Sequence, residues 1–146
     1  MKGICIMKKV LSIVVILCLV FSICGCSNTK KAKIDYGKSD IFSKEDMDSA
    51  IKVIIKEFNE MKGCKLYSLK YMGDDFCKKN INYANEVANE LRKEKKFTEC
   101  IVFTSTFRSP LLGGDAWIAN EVYEGWEWYL ARTENGSWEL LTYGWG

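Results

Sequence analysis

Four carboxylates in the C-terminal third of this 146-residue chain come nearest in type and spacing to a hydrolytic site: Asp115, Glu121, Glu124 and Glu127. Two carboxylates can act as general acid and general base, and Glu124 with Glu127 is the pair to consider. Side chains three positions apart on a regular strand point to opposite faces, which counts against this pair. The chain also contains no histidine, the side chain best suited to proton transfer near neutral pH. We therefore interpret the four as surface acids and predict no catalytic residue; the alternative is a carboxylate-based hydrolase that uses Asp115 or one of the glutamates.

Other catalytic and ligand-binding motifs are missing from the sequence. There is no nucleophile elbow and no zinc-ligand spacing, and Gly113-Gly114 lacks the lysine and the helix that a phosphate-binding loop requires. Three cysteines without a histidine make a poor zinc site. We therefore predict no metal and no cofactor.

Aromatic side chains are the stronger candidates for function. Tryptophan and tyrosine combine a large apolar ring with a hydrogen-bonding N–H or O–H group, so they can stack on sugars, bases or apolar ligands. We expect Trp128 and Trp138 to fill the core. The hypothetical ligand site consists of four aromatic residues and one acid: Trp117, Tyr123, Trp126, Trp145 and Asp115.

Cys26 is the residue with the most specific predicted chemistry. It follows three lysines and a continuous, largely apolar run over residues 10–23, which is short for a bilayer core of about 30 Å. The tetrapeptide Ile23-Cys24-Gly25-Cys26 resembles the lipobox of bacterial lipoproteins, in which the cysteine sulfur takes a diacylglyceryl group before cleavage. The resemblance implies a signal peptide over residues 1–25, an acylated Cys26, and a chain anchored by lipid on the extracytoplasmic face of the membrane. The alternative is an uncleaved membrane anchor in which Cys26 has no role.

The charge of the remaining chain bears on its partners. Residues 1–25 hold three of the 21 basic residues and no acidic one, which leaves 18 basic and 19 acidic side chains. Such a balance, without a basic stripe, lacks the electrostatic footprint of nucleic-acid binding. The membrane, a small ligand or another envelope protein remain as partners.

The cysteines beyond residue 26 are odd in number. Cys64, Cys77 and Cys100 can form one bridge with one free thiol, or can be three buried thiols that act as small apolar side chains. We favour the second arrangement and predict no obligatory disulfide.

Local patterns predict an α+β domain over residues 39–146 that follows a flexible tether over residues 26–38. Ser43 is a good N-cap for a helix, and an apolar stripe from Met47 to Met61 predicts a core-facing side. A strand is predicted over residues 64–72, a turn at Asp74-Asp75, and a second helix over residues 80–96 with Leu91 facing inward. Strands follow from Phe97 onward.

The last hairpin is predicted from Asn135-Gly136, a strong signal for a two-residue type I′ turn. With this pair at the tip, four cross-strand pairs follow: Arg132 with Glu139, Leu130 with Leu141, Trp128 with Tyr143, and Trp126 with Trp145. Both faces of this hairpin are largely apolar near the middle. We therefore expect a sheet that is covered on one side and cupped on the other.

The order of these elements indicates an α+β roll, and several short motifs resemble those of one family. They are YGKS at residues 36–39, FSKE at 42–45, GC at 63–64, YEGWEWYLAR at 123–132, GSW at 136–138 and YGWG at 143–146. In this order they resemble uncharacterised Gram-positive lipoproteins with a nuclear-transport-factor-2-like domain. The resemblance implies a cone-shaped roll, a curved antiparallel sheet packed on N-terminal helices, whose mouth can hold a small ligand. It implies no activity.

Overall fold

The computed structural model of the chain describes residues 32–114, 116–134 and 136–145. The predicted signal peptide, Cys26, Asp115 and Asn135 lie outside the described residues. Helices and strands alternate in the first half of the domain and strands follow in the second. The elements are β1 (Lys33–Asp35), α1 (Lys44–Phe58), β2 (Lys65–Tyr71), α2 (Asp74–Lys79), α3 (Ile81–Glu90), β3 (Glu99–Arg108), β4 (Val122–Arg132) and β5 (Glu139–Gly144).

The five strands form one curved, unclosed sheet in the order β1-β2-β3-β4-β5. The pairs from β2 to β5 are antiparallel, and the short β1 joins the edge of β2 in parallel. The predicted α+β class is therefore confirmed at the coarser level of a mixed fold in which helices pack on a curved antiparallel sheet. β1 lies within residues 26–38, for which we expected a flexible tether, so the ordered domain begins earlier than predicted.

Helix α1 forms where the sequence predicts it. The Ser43 hydroxyl accepts a hydrogen bond from the Asp46 N–H, and the Asp46 carboxylate accepts one from the Ser43 N–H, which closes a capping box. The stripe on its inner side is buried: Met47, Ala50, Ile51, Ile54 and Phe58. Gly63, the fifth residue after the helix, has a φ of 76°, and a Cβ there would lie 3.0 Å from the Pro110 ring. Glycine is therefore required both for the turn and for this close contact.

Helices cover both faces of the sheet. On one face the ring of Phe58 from α1 lies 5.5 Å from Phe107 and 6.3 Å from Trp128. On the other face α3 brings Tyr83 within 5.1 Å of Tyr129, the next residue of β4 after Trp128. We call these the α1 face and the α3 face. We expected one face of the sheet to be covered and the other to be cupped. This was wrong, because β3 has apolar residues on both faces and a helix packs against each face.

The helical segment between β2 and β3 differs from the prediction. Asp74-Asp75 begins α2 rather than a turn, and α3 ends at Glu90, well before residue 96. Gly73, with a φ of 94°, redirects the chain into α2. Leu91, which we expected to face inward, is exposed, because the helix stops before it and the chain turns.

Bulges change the register of β4 twice. Between Ser105 and Phe107 of β3, the partner strand has an extra residue near Gly125, whose φ is 71°. Tyr123 and Trp126 therefore lie on the same face although they are three positions apart, and both contact Phe107. The alternation argument that separated Glu124 from Glu127 consequently fails.

The second bulge lies in the last hairpin. Trp128 pairs with Tyr143 as predicted, but Leu130 pairs with Leu140, and Ala131 pairs with Glu139. The expected pairs Leu130 with Leu141 and Arg132 with Glu139 are wrong. The Thr133 carbonyl accepts a hydrogen bond from the Gly136 N–H, so the chain reverses one residue earlier than a turn centred on Asn135-Gly136 requires.

Candidate functional site

Four of the five predicted ligand-site residues meet in one group on the α1 face. We call Phe107, Trp117, Tyr123, Trp126 and Trp145 the aromatic cluster. Tyr123 stacks on Phe107 with ring centroids 5.1 Å apart, and Trp117 meets both rings edge-on at 5.2–5.4 Å. Trp145 lies 5.7 Å from Tyr123. The sequence thus predicted which rings come together, with Phe107 as the buried centre that it did not include.

Most of this cluster is packing rather than open surface. Tyr123 is buried, and its hydroxyl accepts a hydrogen bond from the Ile118 N–H. Trp117 and Trp126 are partly buried, and Trp145 is exposed. Trp128 and Trp138, predicted as core residues, are both buried. Of the four predicted aromatic residues, Trp145 therefore has the largest surface open to a ligand.

The two central tryptophans of β4 differ in how their indole N–H groups are satisfied. The Trp128 Nε1 donates a 2.9 Å hydrogen bond to the Ser105 hydroxyl. The Trp126 Nε1 is buried and has no acceptor among the described residues. A buried donor without a partner costs about 1–3 kcal/mol, so this N–H is a local cost to stability.

A separate groove opens on the α3 face, where β4 and β5 pass the beginning of α3. It has a volume of about 320 Å³, which lies at the lower limit for small-ligand sites. Its described lining consists of Asn80, Tyr83, Glu127, Tyr129, Thr142, Tyr143, Gly144 and Trp145. We call it the tyrosine groove.

Two interactions organise the tyrosine groove. The Tyr83 and Tyr129 rings meet edge-on, with an interplanar angle of 73°. The Tyr129 hydroxyl donates a 2.6 Å hydrogen bond to a carboxylate oxygen of Glu127. Burial, and then the hydrogen bond to Glu127, raises the pKa of Tyr129 above its usual value, so the phenol keeps the proton that it donates in this hydrogen bond.

The position of α3 fixes this arrangement. The Asn85 side chain accepts a hydrogen bond from the Phe97 N–H and donates to the Phe97 carbonyl, at 2.8 and 3.0 Å. Ala84 and Ala88 are fully buried, and such small side chains allow the helix to approach the sheet closely. Tyr83 is thereby held over β4 while 43 % of its surface stays exposed.

The predicted acidic residues do not assemble a hydrolytic site in the described parts of the chain. Glu121 and Glu124 are exposed, and Glu127 is partly buried and occupied by Tyr129. Over residues 32–114, 116–134 and 136–145, the buried polar side chains are those of Ser105 and Ser109, and neither can act as a buried acid.

A second cavity, of about 550 Å³, lies beside Arg132 near the opposite end of the sheet. The guanidinium bonds to Asp46 at 2.7 Å and to Glu99 at 2.5 Å, and it lies 4.3 Å from the centre of the Trp138 ring. The Arg132 hydrogen bond lowers the pKa of Asp46. Because this arginine already binds two carboxylates, it joins α1 to the sheet and is poorly placed to bind an anion.

The three cysteines of the domain are buried, unbridged thiols. The Cys77 sulfur accepts a hydrogen bond from the Val102 N–H at 3.3 Å, and burial raises the pKa of Cys100 to about 12. Such thiols are poor nucleophiles and poor metal ligands near neutral pH.

Within the described residues no group of three or more metal-ligating side chains occurs, and no helix is long and apolar enough to span a bilayer. The chain matches no family model, no curated protein and no solved structure.

Proposed function

We propose that this chain is an extracytoplasmic lipoprotein whose domain is a non-catalytic binding module for a small organic cation. The anchor rests on the sequence, namely the apolar run over residues 10–23 and Cys26 in its lipobox-like tetrapeptide. The binding function rests on the tyrosine groove. The two parts are independent, and each has its own test.

The chemistry of the groove favours a positively charged ligand. The Tyr83 ring is open to solvent on this face, with 43 % of the residue exposed, and it meets the half-buried Tyr129 ring. Tyr143 and Trp145 also line the groove, but their rings lie on the α1 face, against Trp128 and Tyr123. Aromatic faces attract ammonium groups through the ring quadrupole. Glu127 adds a carboxylate, and of the lining residues described none is lysine or arginine. A carboxylate beside an open aromatic ring is suited to an ammonium group on an otherwise apolar ligand.

The observation that carries this proposal is the hydrogen bond from Tyr129 to Glu127 beneath the Tyr83 ring. It holds a negative charge at a fixed place in the groove, so that a cation meets an oriented acceptor. Cation–π contacts at exposed sites contribute about 0.5–1 kcal/mol each. With one or two such contacts and one ion pair, we expect weak binding, with a dissociation constant on the order of 1 mM.

The nuclear-transport-factor-2-like roll is part of the proposal at the level of topology. The curved sheet, the bulges in β2–β4 and the helices that precede the long antiparallel strands support it. Helices on both faces depart from a cone that opens on one face. We therefore propose the tyrosine groove, and not a cone mouth, as the ligand site.

The anchor is tested by mass spectrometry of the protein from the membrane fraction. We expect a chain that begins at residue 26 and carries a diacylglyceryl group on Cys26. The Cys26→Ala variant should accumulate as the uncleaved precursor. A wild-type protein that carries no lipid on Cys26 would contradict the anchor.

The groove is tested by saturation-transfer NMR with choline as the probe and its neutral isostere, 3,3-dimethylbutan-1-ol, as the control. Choline should give a saturable signal that Tyr83→Ala reduces, whereas the neutral compound should give none. A neutral sugar that binds more tightly than choline would contradict the cation specificity. Equal signals from choline and its isostere would do so as well.

A further inference from the structure

The four most exposed large apolar side chains of the described residues lie outside the tyrosine groove or at its margin. Leu112 is 93 % exposed, and Leu111, Ile118 and Trp145 are 73 %, 68 % and 67 % exposed. Single exposed apolar residues are ordinary on a protein surface, but a group of them marks an interaction site. We call these four residues the apolar rim.

The rim occupies one end of the sheet. Leu111, Leu112 and Ile118 belong to the connection between β3, which ends at Arg108, and β4, which begins at Val122. Trp145 follows β5 at the same end, where its ring reaches Tyr123, and the Tyr123 hydroxyl in turn binds the Ile118 N–H. The four residues therefore lie at the same end of the sheet.

Hydrogen bonds hold the β3–β4 connection in this form. The buried Ser109 hydroxyl accepts a hydrogen bond from the Glu121 N–H at 2.8 Å and donates to the Ile118 carbonyl. The Pro110 carbonyl accepts from both Gly113 and Asn120. This hydrogen-bonded loop therefore holds Leu111 and Leu112 with their side chains exposed to water, which is unfavourable for apolar groups.

The same end receives the chain from its N-terminal side. β1 runs parallel to β2, so Lys33 lies toward the end of the sheet at which β2 begins. Lys65, the first residue of β2, pairs with Arg108 beside the rim. Cys26 and Lys33 are only seven positions apart, and a fully extended chain spans about 25 Å over that many positions. An acyl group on Cys26 would therefore keep the rim close to the bilayer.

We propose that the apolar rim is a membrane-docking surface that inserts into the interfacial region of the bilayer. This inference rests on the proposed lipid anchor for its geometry. Leucine and isoleucine enter the acyl boundary and tryptophan prefers the interface, and short-range burial of this kind persists in high salt. Docking orients the domain so that the Trp145 side of the tyrosine groove faces the headgroups. The anchor supplies attachment, and the rim supplies orientation.

The test uses the processed, acylated protein in phosphatidylcholine vesicles whose acyl chains carry bromine, which quenches tryptophan at short range. We expect quenching of the emission that Trp145→Phe removes, that 0.5 M salt leaves unchanged, and that the double variant Leu111→Ser/Leu112→Ser reduces at least about threefold. The matched control is Leu91→Ser, because Leu91 is 52 % exposed but lies near the opposite end of the sheet, two residues before Lys93, which binds Glu139.

Two results would overturn the proposal that the apolar rim docks on the membrane. Acylated protein whose emission is not quenched would refute docking and leave the anchor standing. A rim that instead mediates self-association, seen as a concentration-dependent sedimentation that the leucine variant abolishes, would assign the surface to a second copy of the chain. If Cys26 proves unacylated, the proposed anchor is wrong. Quenching of that same protein by added brominated vesicles would then show whether the apolar rim docks on a membrane without the anchor.

Discussion

Glu127 accepts a 2.6 Å hydrogen bond from the hydroxyl of Tyr129, two residues further along the same strand. Side chains two positions apart on a strand share a face, so this contact needs no bulge or loop. It fixes the carboxylate in the tyrosine groove while the Tyr83 ring covers the Tyr129 ring. The pair therefore provides an oriented negative charge within an aromatic surface, which is the basis of the proposed cation site.

The buried and exposed tryptophans should differ sharply in their effect on stability. Trp128→Ala should lower the free energy of unfolding by about 3–5 kcal/mol, because it empties a fully buried site. Trp145→Ala should change it by less than about 0.5 kcal/mol. Urea denaturation followed by circular dichroism measures both. Similar losses in the two variants would show that Trp145 belongs to the core.

The indole N–H groups offer a finer comparison within β4. Trp128→Phe removes the hydrogen bond to Ser105, whereas Trp126→Phe removes a buried donor that has no partner among the described residues. We expect Trp128→Phe to cost about 1–2 kcal/mol more than Trp126→Phe. The same denaturation experiment tests this difference. An equal or larger loss in Trp126→Phe would mean that its N–H has an acceptor.

Elements that depend on local signals could be predicted from the sequence. Helix α1 has a capping residue, Ser43, and an apolar stripe, and both act within one or two turns. The pairing of Trp128 with Tyr143 also follows from alternation along two strands. The start of α3 was predicted within one residue, but α2 was not predicted, and neither was the end of α3 at Glu90, because the packing of α3 on the sheet decides where that helix ends.

Acid should weaken the link between α1 and the sheet. The pKa of Asp46 is lowered in the folded state, mainly by the hydrogen bond from Arg132, so its contribution is complete above the ordinary value of 3.8 and is lost as the pH falls through the lower folded value. Asp46→Asn should cost about 1 kcal/mol at pH 7 and should lose less stability than wild type between pH 5 and about pH 2.

Glu45→Gln is the matched control for that experiment, because Glu45 is an exposed acid in the same first turn of α1. Melting temperatures across the pH range measure all three proteins. If Asp46→Asn keeps the full acid sensitivity of wild type, the ion pair with Arg132 does not stabilise the folded state.

The thiols of Cys64, Cys77 and Cys100 should react slowly in the folded protein and rapidly after unfolding. All three are buried, and burial raises the pKa of each, so few thiolates form near neutral pH. Alkylation at pH 8 followed by peptide mapping measures the modification at each site. A disulfide-linked peptide that contains any two of these cysteines would contradict the unbridged core.

The candidate site was less predictable than the fold. Tyr83 and Tyr129 lie on a helix and a strand separated by much of the chain, and only the docking of α3 on the second face of the sheet brings them together. The sequence indicated the aromatic cluster instead, because its rings are concentrated along β4 and β5. The bulge near Gly125 then packed Tyr123 and Trp126 around Phe107, which turned most of that predicted site into core.

The most direct test of the binding function is the dissociation constant of choline for the wild-type protein, Glu127→Gln and Glu124→Gln, measured by isothermal titration calorimetry. Glu124 is the matched control because it is an exposed acid of the same strand outside the groove lining. We predict that wild type and Glu124→Gln bind choline equally, and that Glu127→Gln binds it about five- to tenfold more weakly, a change of about 1–1.4 kcal/mol. Undiminished binding by Glu127→Gln, or no saturable binding by wild type, would contradict the account.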